Sequence, residues 1–346
     1  MTTYSFMDDY SEGCHPRILK ALQETNLEQQ SAYGADDYSR EAKALIHQHL
    51  HSPQSSIFFV SSGTQANLTI IAAALRPYEA VISAHSGHIA LHETGAIEAT
   101  GHKIISAPSE DGKLTPAVIE TMLENNNLAP HMAKPKLVYI SNAAETGRIY
   151  TKSDLTALSN ICRQHDLYLL MDGARLSAAL CAPKNDLTLK DIAVLTDAFW
   201  LGGTKAGALI GEAIVINTPE LAKDFEFHIK QRGALLSKGR LLGLQFRELF
   251  KTGLYFEGSK HANDLAQRIS KAIVKNGYSL ASETETNQIF PILPNSLITA
   301  LEKSFEFYNW EKAENDHAVI RLVTSWATDA QQVEAFISAL SQSAKS

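Results

Sequence analysis

The strongest constraint on the fold is a repeated alternation of short apolar runs with helical stretches. Ile57-Phe58-Phe59-Val60 is rich in strand formers and is closed by Ser61-Ser62-Gly63-Thr64, after which residues 65–75 read as a helix that stops before Pro77. Val81-Ile82-Ser83 precedes a helical stretch over about 89–100, halted at Gly101, and Lys103-Ile104-Ile105-Ser106 is again strand-like. Residues 136–141 lead through a loop to a helix over 153–165, and the run 167–171 ends at Asp172-Gly173. Residues 198–201 and 208–217 add further strands. This pattern predicts an α/β fold, a mainly parallel sheet with helices on both faces. In open sheets of this kind ligands sit beyond the carboxyl ends of the strands, so the polar residues that end them are the place to look.

The texture changes further on. Residues 219–250 are long, helical and rich in basic residues, broken near Gly233 and Gly239. After them come a helix over 258–276, strand candidates at 288–293 and 318–324, and a terminal helix. A chain of 346 residues holds about two domains. The expected division is a large domain over 1–250, N-terminal arm included, and a smaller C-terminal α/β domain over 251–346. With 31 basic against 38 acidic residues and no long run of Lys or Arg, the footprint for binding a phosphate backbone is missing, so no nucleic-acid partner is expected. Apolar stretches such as 70–75 fall far short of the ~20 residues that span a bilayer. The N-terminus also lacks the basic and apolar regions of a signal peptide, which makes a cytoplasmic protein without a membrane partner the expectation. Cys14, Cys162 and Cys181 are odd in number and show no CxxC spacing, which argues against a disulfide framework or a zinc knuckle.

Three strand-end features could carry chemistry. Ser62-Gly63-Thr64 opens a helix, where free backbone N–H groups and the helix dipole suit a phosphate; an ordinary N-cap has the same residues. Asp172 ends a buried strand, with Arg175 three residues on; a carboxylate there either keeps a pyridine nitrogen protonated or caps locally. Lys205 lies in Gly202-Gly203-Thr204-Lys205-Ala206-Gly207, 33 residues after Asp172. Flanking glycines admit a ligand close to the backbone, and a lysine amine forms Schiff bases when its pKa is lowered, whereas an isolated loop lysine would be solvated. His88 and His92 are four apart with Glu93 outside the pair, unlike zinc hydrolase motifs that enclose their acid, so no metal is expected.

Taken together, Tyr33-Gly34-Ala35-Asp36-Asp37, Ser62-Gly63-Thr64-Gln65-Ala66-Asn67, His88 with Glu93-Thr94-Gly95-Ala96, Asp172-Gly173-Ala174-Arg175, Gly203-Thr204-Lys205 and residues 321–326 resemble a known group over nearly the whole chain. It is the pyridoxal-phosphate enzymes of the aspartate-aminotransferase fold, and within them the threonine aldolase and phenylserine-aldolase-like members of the β-eliminating lyase family. The resemblance implies pyridoxal 5'-phosphate as cofactor, with Lys205 carrying it, Asp172 on the ring nitrogen, His88 stacked on the ring, and Ser62, Gly63, Thr64 and Thr204 at the phosphate. It implies Arg175 and Arg321 toward the cofactor phenolate and the substrate carboxylate, and Tyr33 reaching across the interface of a homodimer or homotetramer. The implied reaction cleaves a β-hydroxy-α-amino acid to glycine and an aldehyde, with His88, Glu145 or a water between them as base. β-Elimination or racemisation on the same cofactor is the alternative. Two positions depart from the family. Asp8 stands where a Ser commonly helps bind the substrate carboxylate, so that either Asp8 points away or substrate preference differs. Glu145 stands where many members have a His, and some phenylserine-aldolase-like members look acidic there.

Overall fold

The computed structural model describes residues 3–343. Its centre is a seven-stranded sheet in the order Ser56–Val60, Glu212–Ile216, Ala198–Gly202, Tyr168–Asp172, Lys134–Ser141, Glu79–Ala84, Lys103–Ala107. The pairings are parallel except for Glu212–Ile216, which runs antiparallel to both of its neighbours. Strands covered on both sides are largely apolar, and Glu79–Ala84, Ala198–Gly202 and Glu212–Ile216 are buried throughout, with polar residues such as Glu79 and Glu212 at their starts. Alternate side chains feed two cores: Ile82, Val138, Met171 and Phe199 on one face, and Val81, Tyr139, Leu170 and Trp200 on the other.

Helix starts follow local chemistry. Ser62 accepts a hydrogen bond from the Gln65 N–H at 3.3 Å and caps Gly63–Ala74, and Thr151 with Asp154 forms a capping box ahead of Lys152–Gln164. The continuous helix expected over 89–100 is absent. A single turn, His88–Leu91, is followed by left-handed backbone at Thr94 (φ 52°) and Gly95 (φ 73°), then a 3-10 turn at Glu98–Thr100. Glu93 bonds inward to His88 and Asn67, and the chain breaks where that side chain turns in.

The C-terminal layer is a four-stranded antiparallel sheet in the order Tyr308–Lys312, His317–Val323, Gln288–Pro294, Ser279–Ser282. Its two central strands match the sequence expectation; its edges were not anticipated, because Tyr308–Lys312 is exposed throughout and its alternation is confined to two aromatic residues, Tyr308 and Trp310. Tyr4–Ser5 pairs in parallel with Phe305–Glu306, and Phe6 is buried in the C-terminal core. The N-terminal arm, grouped in sequence with residues 1–250, is thus held by an apolar anchor in the other layer. Leu254–Lys275 joins the layers, placing Leu254 and Tyr255 in the sheet core and Leu265, Ile269 and Ile273 in the C-terminal core. We propose the domain boundary at 250/251, just before this helix. Among the described residues no helix is long and apolar enough to cross a membrane.

Close approach of the two strands behind the site depends on Gly173, where a Cβ would lie 1.7 Å from the Trp200 carbonyl oxygen. That obstacle is backbone and has no rotamer to escape into. Gly173→Ala should destabilise the chain by more than about 3 kcal/mol in denaturant unfolding. Gly13→Ala, with nothing within 4 Å of the new methyl, should stay within about 0.5 kcal/mol of the parent.

Candidate active site

The strands ending at Val60, Asp172 and Gly202 open onto a cavity of about 390 Å³. Gly63 admits the helix N-terminus to this floor, since a Cβ there would come within 2.7 Å of the Trp200 ring. Ser62, Gly63, Thr64, His88, Asp172, Thr204 and Lys205 all line the cavity.

Asp172 is 3% exposed, and three donors orient it: Tyr139 Oη at 2.6 Å and Asn67 Nδ2 at 2.9 Å to Oδ2, and the Ala174 N–H at 2.9 Å to Oδ1. Burial first, and the Asp172 charge second, push the Tyr139 phenol well above its usual range, so it stays a donor. Asn67 also donates to Glu93 Oε1 at 2.8 Å and accepts from Trp200 Nε1 at 3.0 Å. The same Glu93 oxygen lies 2.8 Å from His88 Nδ1. Burial alone would lower the His88 pKa, but the Glu93 hydrogen bond, with the charges of Glu145, Asp172 and Glu93, raises it. This bond fixes the imidazole by one nitrogen and leaves Nε2 for the cavity.

Lys205 sits on the turn Thr204–Ala206, its Nζ 5.6 Å from the Tyr10 ring centre. Burial and then the Arg175 charge lower its pKa, which favours the neutral, nucleophilic amine. An amine for a carbonyl carbon, a buried carboxylate for a ring nitrogen, and hydroxyls with a helix N-terminus for an anion form a donor set that fits pyridoxal 5'-phosphate.

The acidic pair near the N-terminus splits. Asp9 takes a two-pronged ion pair from Arg175, Nε to Oδ2 at 2.8 Å and Nη2 to Oδ1 at 3.1 Å, and Asn287 donates to the same Oδ2 at 2.9 Å. Asp8 does not point away: its Oδ1 lies 3.9 Å from Arg321 Nη2, and Tyr308 Oη donates to its Oδ2 at 3.4 Å. The Arg321 guanidinium lies between Tyr308 and Trp310, 5.3 and 5.2 Å from their ring centres, and its buried Nε has no hydrogen-bond partner. Arg321 therefore holds unused donors, whereas Arg175 has committed two to Asp9. Glu145 acts on His88, Arg175 and Lys205 through its charge, but among the described residues no hydrogen bond joins it to His88. Tyr33 is not brought into this cavity. It lies half exposed beside a separate depression with Arg40, Lys43 and Glu226, under the Lys230 ammonium 4.9 Å from its ring centre.

Sequence reasoning assigned no role to Asn67, Glu93 or Tyr139, although the first two lie inside motifs it used. No spacing in the chain reveals that residues 26 or 105 apart share a hydrogen bond. It also missed Glu212, which reaches the cavity from the start of its strand and not the end, because that strand is antiparallel.

The family model of the β-eliminating lyases matches residues 7–295. A low-specificity L-threonine aldolase of a Pseudomonas species is 34% identical over 336 residues, covering 94% of this chain and 93% of its own. The solved threonine aldolase of Leishmania major superposes with a TM-score of 0.97 at 47% identity, covering 99% of both chains. An aspartate aminotransferase of Thermus thermophilus, at 14% identity and a TM-score of 0.71 over 98% of this chain and 91% of its own, shares the fold. With its aspartate-aminotransferase-like architecture and a cavity at the strand ends, the chain belongs to the β-eliminating lyase family.

Proposed function

We propose that this protein is a carbon–carbon lyase that cleaves β-hydroxy-α-amino acids of the threonine, allo-threonine or phenylserine type into glycine and an aldehyde. The observation that carries the reading is His88 held by Glu93 in the same cavity as the Lys205 amine and the Asp172 carboxylate. The cofactor is pyridoxal 5'-phosphate, which supplies a sink for the electron pair left on Cα when the Cα–Cβ bond breaks.

The chain's own groups divide the remaining work. Lys205 would hold the cofactor through its amine, and Asp172 would keep a proton at the ring nitrogen. Ser62, Gly63, Thr64 and Thr204 hold the phosphate. Arg321, with donors free and two aromatic faces steadying it, receives the substrate carboxylate as a fork. Arg175, anchored by Asp9, steadies the cofactor side of the cavity. His88, at the cavity wall, would take the β-hydroxyl proton as the bond breaks; Glu145 raises its basicity through its charge. Position within hydrogen-bond reach matters more for that transfer than bulk pKa. Asp8 beside Arg321 competes for the guanidinium with the incoming carboxylate. Assembly as a homodimer or homotetramer, with Tyr33 facing a second copy's cavity, and a cytoplasmic location belong to the same reading.

Three measurements test it. Lys205→Ala should lose the borohydride-reducible cofactor link, and the parent should release aldehyde from β-hydroxy amino acids; a 2-oxo acid and ammonia without aldehyde (pyruvate when serine is supplied) would make β-elimination the reaction instead of cleavage. Asp8→Ser should lower KM for the amino acid by about fivefold with kcat held, since a competing charge is removed, whereas Arg321→Lys should raise KM. The pH profile tests His88. A protonated imidazole cannot accept the hydroxyl proton, so kcat/KM should rise with pH through a limb above the ordinary histidine value, because the pKa is raised. Glu93→Gln removes the carboxylate that favours the imidazolium and should move this limb to lower pH.

A further inference from the structure

The reaction above leaves one buried carboxylate of the cavity without a task. Glu212 opens the antiparallel strand and so arrives at the edge where the parallel strands end. In register it stands opposite Val60, which precedes the turn at Ser62, and opposite Gly202, which precedes the turn of Lys205. Its Oε2 accepts from the Gly203 N–H at 2.8 Å and its Oε1 from the Thr204 hydroxyl at 2.9 Å. It is 5% exposed and lines the cavity.

An ionised Glu212 conflicts with a phosphate held by Thr204. The threonine hydroxyl has one proton to donate, and here the carboxylate takes it. A carboxylate and a phosphate dianion sharing one buried hydroxyl also repel each other. Protonation resolves both conflicts. The carboxylic acid then donates to Thr204 Oγ1 across the same contact, and the threonine proton turns to the phosphate. The groups facing Glu212 agree with a neutral acid. Burial pushes its carboxyl up to about 8, against the pull of the Gly203 N–H, the Thr204 hydroxyl and Lys205, and Asp172, two strands away in the sheet, pushes the same way as burial. From the helix Leu254–Lys275, the Tyr255 phenol is raised well above its usual range by burial and then by Glu212, and stays uncharged.

We propose that Glu212 is a positioning residue that takes one proton from solvent as the cofactor's phosphate enters and passes a hydrogen bond through Thr204 to that phosphate. The proposal rests on the reading that this turn and residues 62–64 hold the phosphate.

Inorganic phosphate, which forms no covalent link to Lys205, is the direct probe. It is titrated calorimetrically into the full-length chain stripped of cofactor, in two buffers of different ionisation heat. Binding should take up about half a proton near pH 8, rising to about one by pH 9.5, where affinity should fall about tenfold per pH unit. In equilibrium dialysis of the holoenzyme, retention of pyridoxal 5'-phosphate should weaken over the same range, while pyridoxal without the phosphate shows no such loss. Glu212→Gln keeps an acceptor for the Gly203 N–H and a donor for Thr204, so it should bind phosphate with a flattened pH dependence. Thr204→Val leaves Glu212 in place and should remove the phosphate-specific proton uptake. Phosphate binding in the parent without proton uptake, or an unchanged pH slope in Glu212→Gln, overturns the proposal. Cofactor bound on Lys205 and aldehyde released with no such pH dependence overturns it while sparing the reaction; failure to bind pyridoxal 5'-phosphate at any pH overturns both.

Discussion

A carboxylate buried at the mouth of the large sheet is the constraint on which this structure turns. An unpaired buried charge costs several kcal/mol, so Asp172 requires donors, and they come from three parts of the chain: Tyr139 from the adjacent strand, Asn67 from the helix after the first turn, and the Ala174 N–H from its own loop. Meeting that need fixes how the helix Gly63–Ala74 lies against the sheet. Asn67 can reach Asp172 only if the helix packs closely over Trp200, and Gly63 makes that closeness possible. The turn that caps the helix is thereby delivered to the cavity.

The same network runs outward to the group with catalytic reach. Asn67 is shared between Asp172 and Glu93, and Glu93 between Asn67 and His88. The carboxylate proposed for the ring nitrogen and the imidazole proposed for the hydroxyl proton are therefore positioned by one amide. A disturbance at Asn67 would reach both. The substrate end is built differently. Arg321 is steadied by two aromatic faces and a loosely placed Asp8, while Arg175 is locked by a close ion pair to Asp9. Two arginines of similar sequence promise thus have different freedom, and only one has donors to offer an incoming carboxylate.

Much of this could be read along the chain, because parallel strands buried on both faces leave continuous apolar runs and the residues that end them are conspicuous. The turn at Ser62-Gly63-Thr64, Asp172 and Lys205 were legible for that reason, and the cavity gathers all three. Legibility failed where the periodic signal is weak. The exposed edge strand Tyr308–Lys312 offers only two aromatic residues, Tyr308 and Trp310, too short an alternation to read. The stretch 89–100 has helical composition, but the inward turn of Glu93 and left-handed backbone at Thr94 and Gly95 break it.

What the sequence determined by itself is the class of fold and the chemical types at the strand ends, since both follow from local periodicity and from which residue stops each apolar run. Tertiary structure decided the partners. Asp8 and Asp9 are neighbours in sequence yet face different arginines, one carried by the loop after the strand Tyr168–Asp172 and the other by a strand of the C-terminal sheet. Tyr33 lies outside the chain's own cavity, beside a separate depression. Glu212 enters that cavity only because its strand runs backwards relative to its neighbours, and strand direction is a property of pairing, which no single segment encodes.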